Sequence, residues 1–125
     1  MTLRKTQLAV LKGGFFTLAL LLAGCAKQAD TSLYNWDNYQ KTVYQYYQGD
    51  KVGPEEQIAS LKESIEKSRA TGKAVPPGLH AQLGLLYANT GHTDLAFQEF
   101  NTEKSLFPES ATYMDFLLKN KGSVK

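Results

Sequence analysis

From Leu79 to Pro108 the chain places small and aromatic residues at the spacing of two helices packed face to face. Leu79, Leu83, Leu86 and Tyr87 stripe a first helix that ends near Thr90 and Gly91. Leu95, Ala96, Phe100 and Phe107 stripe a second, opened by Thr93 or Asp94 as a cap and ended by Pro108. Gly84 and Ala96 carry almost no side chain, so the two helices can approach closely there while Tyr87 and Phe100 fill the space beside them. Apolar spacing alone would specify an ordinary hairpin; the small residues specify a close one.

Leu83, Gly84, Tyr87, Gly91, Ala96, Phe100 and Pro108 stand in the order and at the intervals of one tetratricopeptide repeat, which the segment from Pro77 to Pro108 resembles. Two positions depart from that pattern. His80 stands where a large aromatic is usual, and Glu103 where a small residue usually packs against the next repeat. An earlier helical pair, residues 36 to 69, shares the architecture but scarcely the signature. A solenoid normally needs at least about three repeats, so the expectation is a compact repeat-like domain with an aromatic first helix and a last helix as its caps.

The flanking helices follow from the same reading. Residues Leu33 to Tyr47 hold the only tryptophan and five of the seven tyrosines. Trp36, Tyr39 or Gln40, Val43 and Tyr47 keep helical spacing, whereas the alternation that a strand needs is poor. Most of Trp36, Tyr39, Val43 and Tyr47 are expected in the core. The segment carries more large residues than one buried stripe can use, so some of Tyr34, Tyr44 and Tyr46 should be exposed. A break at Gln48–Gly53 precedes a helix opened by Pro54, Glu55 and Glu56, striped by Ile58, Leu61 and Ile65, and running to about Arg69. Glu63 and Lys67 can pair on its outer side. Thr71 to Gly78 reads as a loop, and Glu109 to Leu118 as a last helix with Tyr113, Phe116 and Leu117 as its apolar residues and Gly122 beyond its end. The fold class is therefore all-α, with about five helices over residues 33–120 and a short tail at 121–125.

Ahead of the domain, Arg4, Lys5 and Lys12 precede the apolar run Phe15–Leu22, which is shorter than the ~20 residues of a spanning helix. Leu22-Ala23-Gly24-Cys25 closes it and resembles the lipobox of bacterial lipoproteins. That resemblance implies a signal peptide at 1–24, cleavage between Gly24 and Cys25, a lipid on Cys25 and a short tether at 25–32. The chain's single cysteine cannot form an internal disulfide, and lipidation gives its thiol a role in an exported protein. Each buried methylene contributes ~0.8 kcal/mol, so two or three acyl chains anchor a protein firmly. Ala26 rather than aspartate after the cysteine points, within that class, to the outer membrane.

Charge narrows the partners. The chain carries 14 basic and 12 acidic residues, but the three basic residues before position 25 leave the mature part slightly acidic. It lacks the concentrated Lys and Arg on which nucleic-acid binding rests. His80 and His92 lack the nearby companions of a zinc site; His80 fits an interhelical packing position and His92 a solvated turn. Glu99 and Glu103 share a helix face, where a cation could bind, although a solvated face is the commoner outcome. Glu55 and Glu56 are explained by the helix start. No phosphate loop, nucleophile elbow or catalytic cysteine appears, so neither an enzyme nor a cofactor beyond the covalent lipid is expected.

Over nearly the whole mature chain the sequence resembles a family of small bacterial lipoproteins described as a domain of unknown function. Leu33-Tyr34-Asn35-Trp36-Asp37-Asn38-Tyr39, Pro76-Pro77-Gly78-Leu79-His80-Ala81 and Thr102 to Ser110 carry that resemblance. Its members tend to be encoded beside two other lipoproteins, one similar to the curli secretion channel and one to a surface-antigen lipoprotein, which implies an envelope assembly. The expectation is a non-enzymatic lipoprotein on the periplasmic face of the outer membrane. It would bind envelope proteins through Tyr34, Trp36, Tyr44 and Tyr46 as accessory to a secretion or surface-assembly complex. The competing reading is a glycan- or peptidoglycan-binding accessory, with the same aromatics stacking on sugars.

Overall fold

Most helix boundaries fall at prolines or left-handed glycines in the computed structural model of the protein, which describes residues 31–49 and 51–120. The helices are α1 (Tyr39–Gln48), α2 (Pro54–Thr71), α3 (Leu79–Asn89), α4 (Thr93–Leu106) and α5 (Ala111–Lys119), with a 3-10 turn at Pro108–Ser110. The described residues are thus all-α, and their only strand-like feature is one isolated bridge. Those from Ser32 onward form one compact unit. The signal, cleavage and lipidation residues Gly24 and Cys25, most of the tether, and Gly122 lie outside the described residues.

α2 begins as expected, with Pro54 in its first turn and Glu55 and Glu56 on the positive end of its dipole. α1 begins later than the aromatic periodicity predicts. Residues Leu33 to Asn38 are not helical, because their backbone is committed elsewhere: Asn35 N–H donates to the carbonyl of Ala74 at 2.9 Å, and Ala74 N–H donates to that of Leu33 at 3.0 Å. This parallel bridge between Tyr34 and Ala74 straps the segment to the loop before α3. Asn35 Nδ2 adds bonds to the Ser64 carbonyl at 3.2 Å and Ser68 Oγ at 3.3 Å, both on α2. The Lys67 ammonium donates to Asp37 at 2.8 Å, so the strap rather than Glu63 supplies its partner. That hydrogen bond, followed by the Asp37 charge, raises the Lys67 pKa, and Glu63 adds a lesser field. An exposed pair of this kind fixes geometry more than it stabilises.

The sequence stripe on α3 proves to be half of its contacts. Leu79, Leu83 and Leu86 join Leu61 of α2 in one buried cluster, lined further by Tyr39, Tyr46, Ile58, Ile65 and Val75. Its opposite face, through Ala81, Leu85 and Ala88, packs on a second cluster of Ala96 and Phe100 from α4 with Met114 and Leu117 from α5. Tyr87 touches both clusters. A helix apolar on all sides must be central, and α3 supplies side chains to both clusters, with α1 packed chiefly on α2 and α5 on α4.

The outer helices turn different faces inward than predicted. On α1 the inward line is Tyr39, Thr42 and Tyr46, with Thr42 fully buried, while Tyr47 is 78% exposed and Trp36 39% exposed. Once the strap sets where α1 starts, the i, i+3, i+7 line through Tyr39 meets α2 and α3. On α5 Leu117 is buried as expected, but Met114 joins it in place of Tyr113 and Phe116, which stack on one another at 6.4 Å on the outside. Leu95 is likewise exposed, and α4 begins after His92, so that Thr93 and Asp94 lie within the helix and neither caps it.

Gly84 carries the closest helix contact. A Cβ there would lie 2.5 and 2.6 Å from Phe100 ring carbons and 3.2 Å from the Ala96 carbonyl. Phe100 is buried, and its ring has no free end to move. Gly84→Ala gains ~1 kcal/mol in helix propensity, but the clash should outweigh that gain and lower the thermal midpoint, since overpacking costs ~1–3 kcal/mol. Melts of the full chain in detergent check this. Gly84→Leu is expected to be worse, and Phe100→Leu added to Gly84→Ala is expected to recover part of the loss.

Candidate functional site

Gly78, at the N-terminus of α3, has φ +93° and no capping side chain of its own. Both facts are resolved by residues from elsewhere in the chain. Glu103 of α4, only 2% exposed, accepts from Gly78 N–H at 2.6 Å and from Ala81 N–H at 3.3 Å. It thus satisfies two of the unpaired donors that open any helix and lays negative charge on the positive end of the dipole. The Tyr39 hydroxyl lies so close to the Gly78 Cα that any Cβ there would collide with it. Left-handed φ and this contact together require glycine. The expectation that Glu99 and Glu103 share a solvated face fails because each is engaged by α3: the His80 ring Nδ1 lies 2.6 Å from Glu99 Oε2. His80 is therefore the interhelical histidine that its position suggested. His92 is exposed, beside the Thr90 hydroxyl at 3.0 Å.

Around the capped end of α3 opens a groove of about 450 Å³, built from α1, α3, the end of α4 and the start of α5. Tyr39, Val43 and Tyr47 form one wall, Phe107, Tyr113 and Met114 the other, and Ala81, Gln82 and Leu85 line it from α3. Two carboxylates, Glu103 and Glu109, belong to the lining, and among the described residues no Lys, Arg or His does. The pKa of Tyr39 is held above its usual value first by burial, then by the Glu103 charge and by Tyr47. Gln82 is 6% exposed, and its amide nitrogen reaches no acceptor among the described residues.

The four aromatic candidates divide. Tyr44 is exposed, its hydroxyl accepting from Gln48 at 2.7 Å. Tyr46 is half-buried against the first core cluster, and its hydroxyl accepts from Asn89 at 3.0 Å, so it chiefly joins α1 to α3. Tyr34 is half-buried in the strap, 5.8 Å from Trp36 and 6.4 Å from Phe107 between ring centres. Trp36 stacks on Tyr39 at 6.1 Å. None of the four lines the groove itself, which gathers Tyr39, Tyr47, Phe107 and Tyr113, but Tyr34 meets Phe107, Trp36 meets Tyr39 and Tyr46 meets Tyr47 at 5.4 Å, so three of them back its walls. Among the described residues, no three His, Cys, Asp or Glu side chains are grouped to hold a metal ion, and no helix is long and apolar enough to cross a membrane.

The sequence profile of the family described as "Domain of unknown function (DUF4810)" matches residues 33–117, from the strap to the buried face of α5. The chain belongs to this family. No curated protein and no solved structure matches it. The match begins at the residues that strap α1 to the loop before α3, so the strap, the cap and the groove all lie within the family's domain.

Two measurements probe the cap. Glu103→Gln keeps the shape but turns an NH₂ donor toward one of the helix N–H groups, and should cost ~1–3 kcal/mol in denaturant unfolding. The raised Tyr39 pKa means that the folded state holds its proton more tightly than the unfolded chain does. Its contribution is complete below the ordinary tyrosine range near pH ~10 and is lost as pH rises through the folded value. Urea midpoints of the full chain should therefore fall above that range, and fall less steeply in Tyr39→Phe.

Proposed function

We propose that this protein is a lipid-anchored envelope protein that acts without catalysis, holding protein partners at the periplasmic face of the outer membrane as an accessory of a secretion or surface-assembly complex. The observation that carries the reading is the open groove walled by Tyr39, Tyr47, Phe107 and Tyr113. Tyrosine and phenylalanine around a concave surface supply large contact area at low conformational cost, and tyrosines keep a polar tip for water or a partner. The packing of Gly84 under Phe100 supports a tetratricopeptide-like reading of the α3–α4 hairpin. The Leu22-Ala23-Gly24-Cys25 sequence supports lipid attachment at Cys25. Glycan binding is less well supported, because the Trp36 ring that would stack on a sugar stacks on Tyr39.

In-cell crosslinking of the tagged full chain should yield discrete protein adducts from the envelope fraction, and Cys25→Ser should lose both palmitate labelling and those adducts. Recovery with purified cell wall and with no protein would overturn the partner reading, and equal palmitate labelling of Cys25→Ser would overturn the anchor.

A further inference from the structure

We infer that the groove between α1, α3 and α5 takes a basic side chain, lysine or arginine, carried by an extended segment of a partner protein. The inference rests on the interaction-module reading above and names the chemistry of its ligand. Charge is the first argument. Glu103 and Glu109 line the groove without a Lys, Arg or His beside them, and Glu109 pairs with no cation among the described residues. Glu103 is neutralised only by backbone N–H dipoles, so its charge remains felt in the groove, as at the Tyr39 hydroxyl. An acidic occupant would meet like charge, and a purely apolar one would strip water from Glu109 with nothing in return.

Shape and surface give the second argument. About 450 Å³ accommodates one long side chain with the backbone on either side of it, and is far too small for a folded domain. The rings of Tyr39, Tyr47, Phe107 and Tyr113 offer negative faces along which the methylene stem and charged head of Lys or Arg can lie. Cation and ring attract at such partly exposed sites as well as at buried ones.

Gln82 accounts for the extended backbone. Its amide nitrogen is unpartnered, yet the side chain belongs to the groove lining. The last torsion of a glutamine is broad and soft, so a turn of the carboxamide presents N–H to a main-chain carbonyl laid over it. Main-chain bonding combined with a pocket for a single side chain is how extended peptides are commonly held.

Four pools of blocked nonapeptides test the inference, identical except for a central arginine, citrulline, norleucine or glutamate and with the flanking positions randomised. Binding to the full chain in detergent is read by fluorescence anisotropy. The arginine pool should bind at least tenfold more tightly than the citrulline pool, which keeps the shape and loses the charge, and should weaken with added salt. Glu109→Lys should lower arginine-pool affinity at least tenfold with an unchanged thermal midpoint, whereas Glu63→Lys, the same charge change on α2, should leave it alone. Gln82→Met should bind every pool more weakly while remaining folded. Equal binding of norleucine and arginine pools, preference for glutamate, indifference to Glu109→Lys, or no binding by any pool would each overturn the inference. A protein partner crosslinked in cells alongside failure of all four pools would sink the groove assignment and leave the interaction-module reading standing.

Discussion

The carboxylate of Glu103 is the interaction on which the rest of the structure depends. α3 is the central helix, and its first turn has neither a capping side chain nor an acidic residue of its own. Left alone, the donors opening it would face the protein interior unpaired, at a cost comparable to a lost hydrogen bond for each. Glu103 reaches across from α4 and accepts two of them. One side chain thereby terminates α3, fixes the register of α4 against it and leaves a negative charge in the wall of the groove.

That cap works only with the residues around it. Gly78 adopts a left-handed backbone that brings the loop after Pro76 and Pro77 into α3, and Tyr39 covers it closely enough to forbid any side chain. The strap, in turn, decides where Tyr39 stands, because Asn35 and Ala74 tie the chain before α1 to the chain before α3. Three distant pieces of sequence therefore meet at one helix end. This explains why the segments through Tyr34-Asn35-Trp36, Pro77-Gly78-Leu79 and Glu103 are each distinctive: they are parts of one joint. In a domain with two modest core clusters and a stability of ~5–15 kcal/mol, such a joint positions the helices where burial alone would leave them free to slide.

The helical hairpin was legible in the sequence because its constraints are local. Gly84, Ala96 and Phe100 are set by spacing along two neighbouring helices, and their contact follows from helical geometry. The aromatic segment misled for the opposite reason. Its periodicity extends back through Trp36, but the hydrogen bonds that keep Leu33 to Asn38 out of the helix are made to Ala74 and α2, some thirty to forty positions away. With the start of α1 displaced, Tyr47 moved outward and Thr42 inward. α5 shows a related ambiguity: Leu117 turns inward as its spacing predicts, but Tyr113 and Phe116 compete with Met114 for the rest of the inward face. Packing against α4 selects Met114.

Glu103 shows where such readings run out and what signal was available. It was visible as a departure, a large charged residue at a repeat position that usually holds a small one, and its spacing from Glu99 suggested a solvated face. A carboxylate at a close helix contact must find donors or remain hydrated. The hairpin partner offered donors, since the segment Pro76-Pro77-Gly78-Leu79-His80-Ala81 opens a helix with no Ser, Thr, Asp or Asn to cap it. An uncapped helix start and an unaccountable acid, brought together by the same hairpin, are complementary deficits, and pairing them predicts the contact from the sequence. The same logic bears on the groove. On the tetratricopeptide-like reading proposed above, a glutamate where a small residue usually packs would stack a further repeat poorly at that face, since its charge disfavours an apolar neighbour. On that reading the face stays open, walled by aromatic rings and biased toward positive charge, because the residue that closes the fold on one side would keep it from being extended on the other.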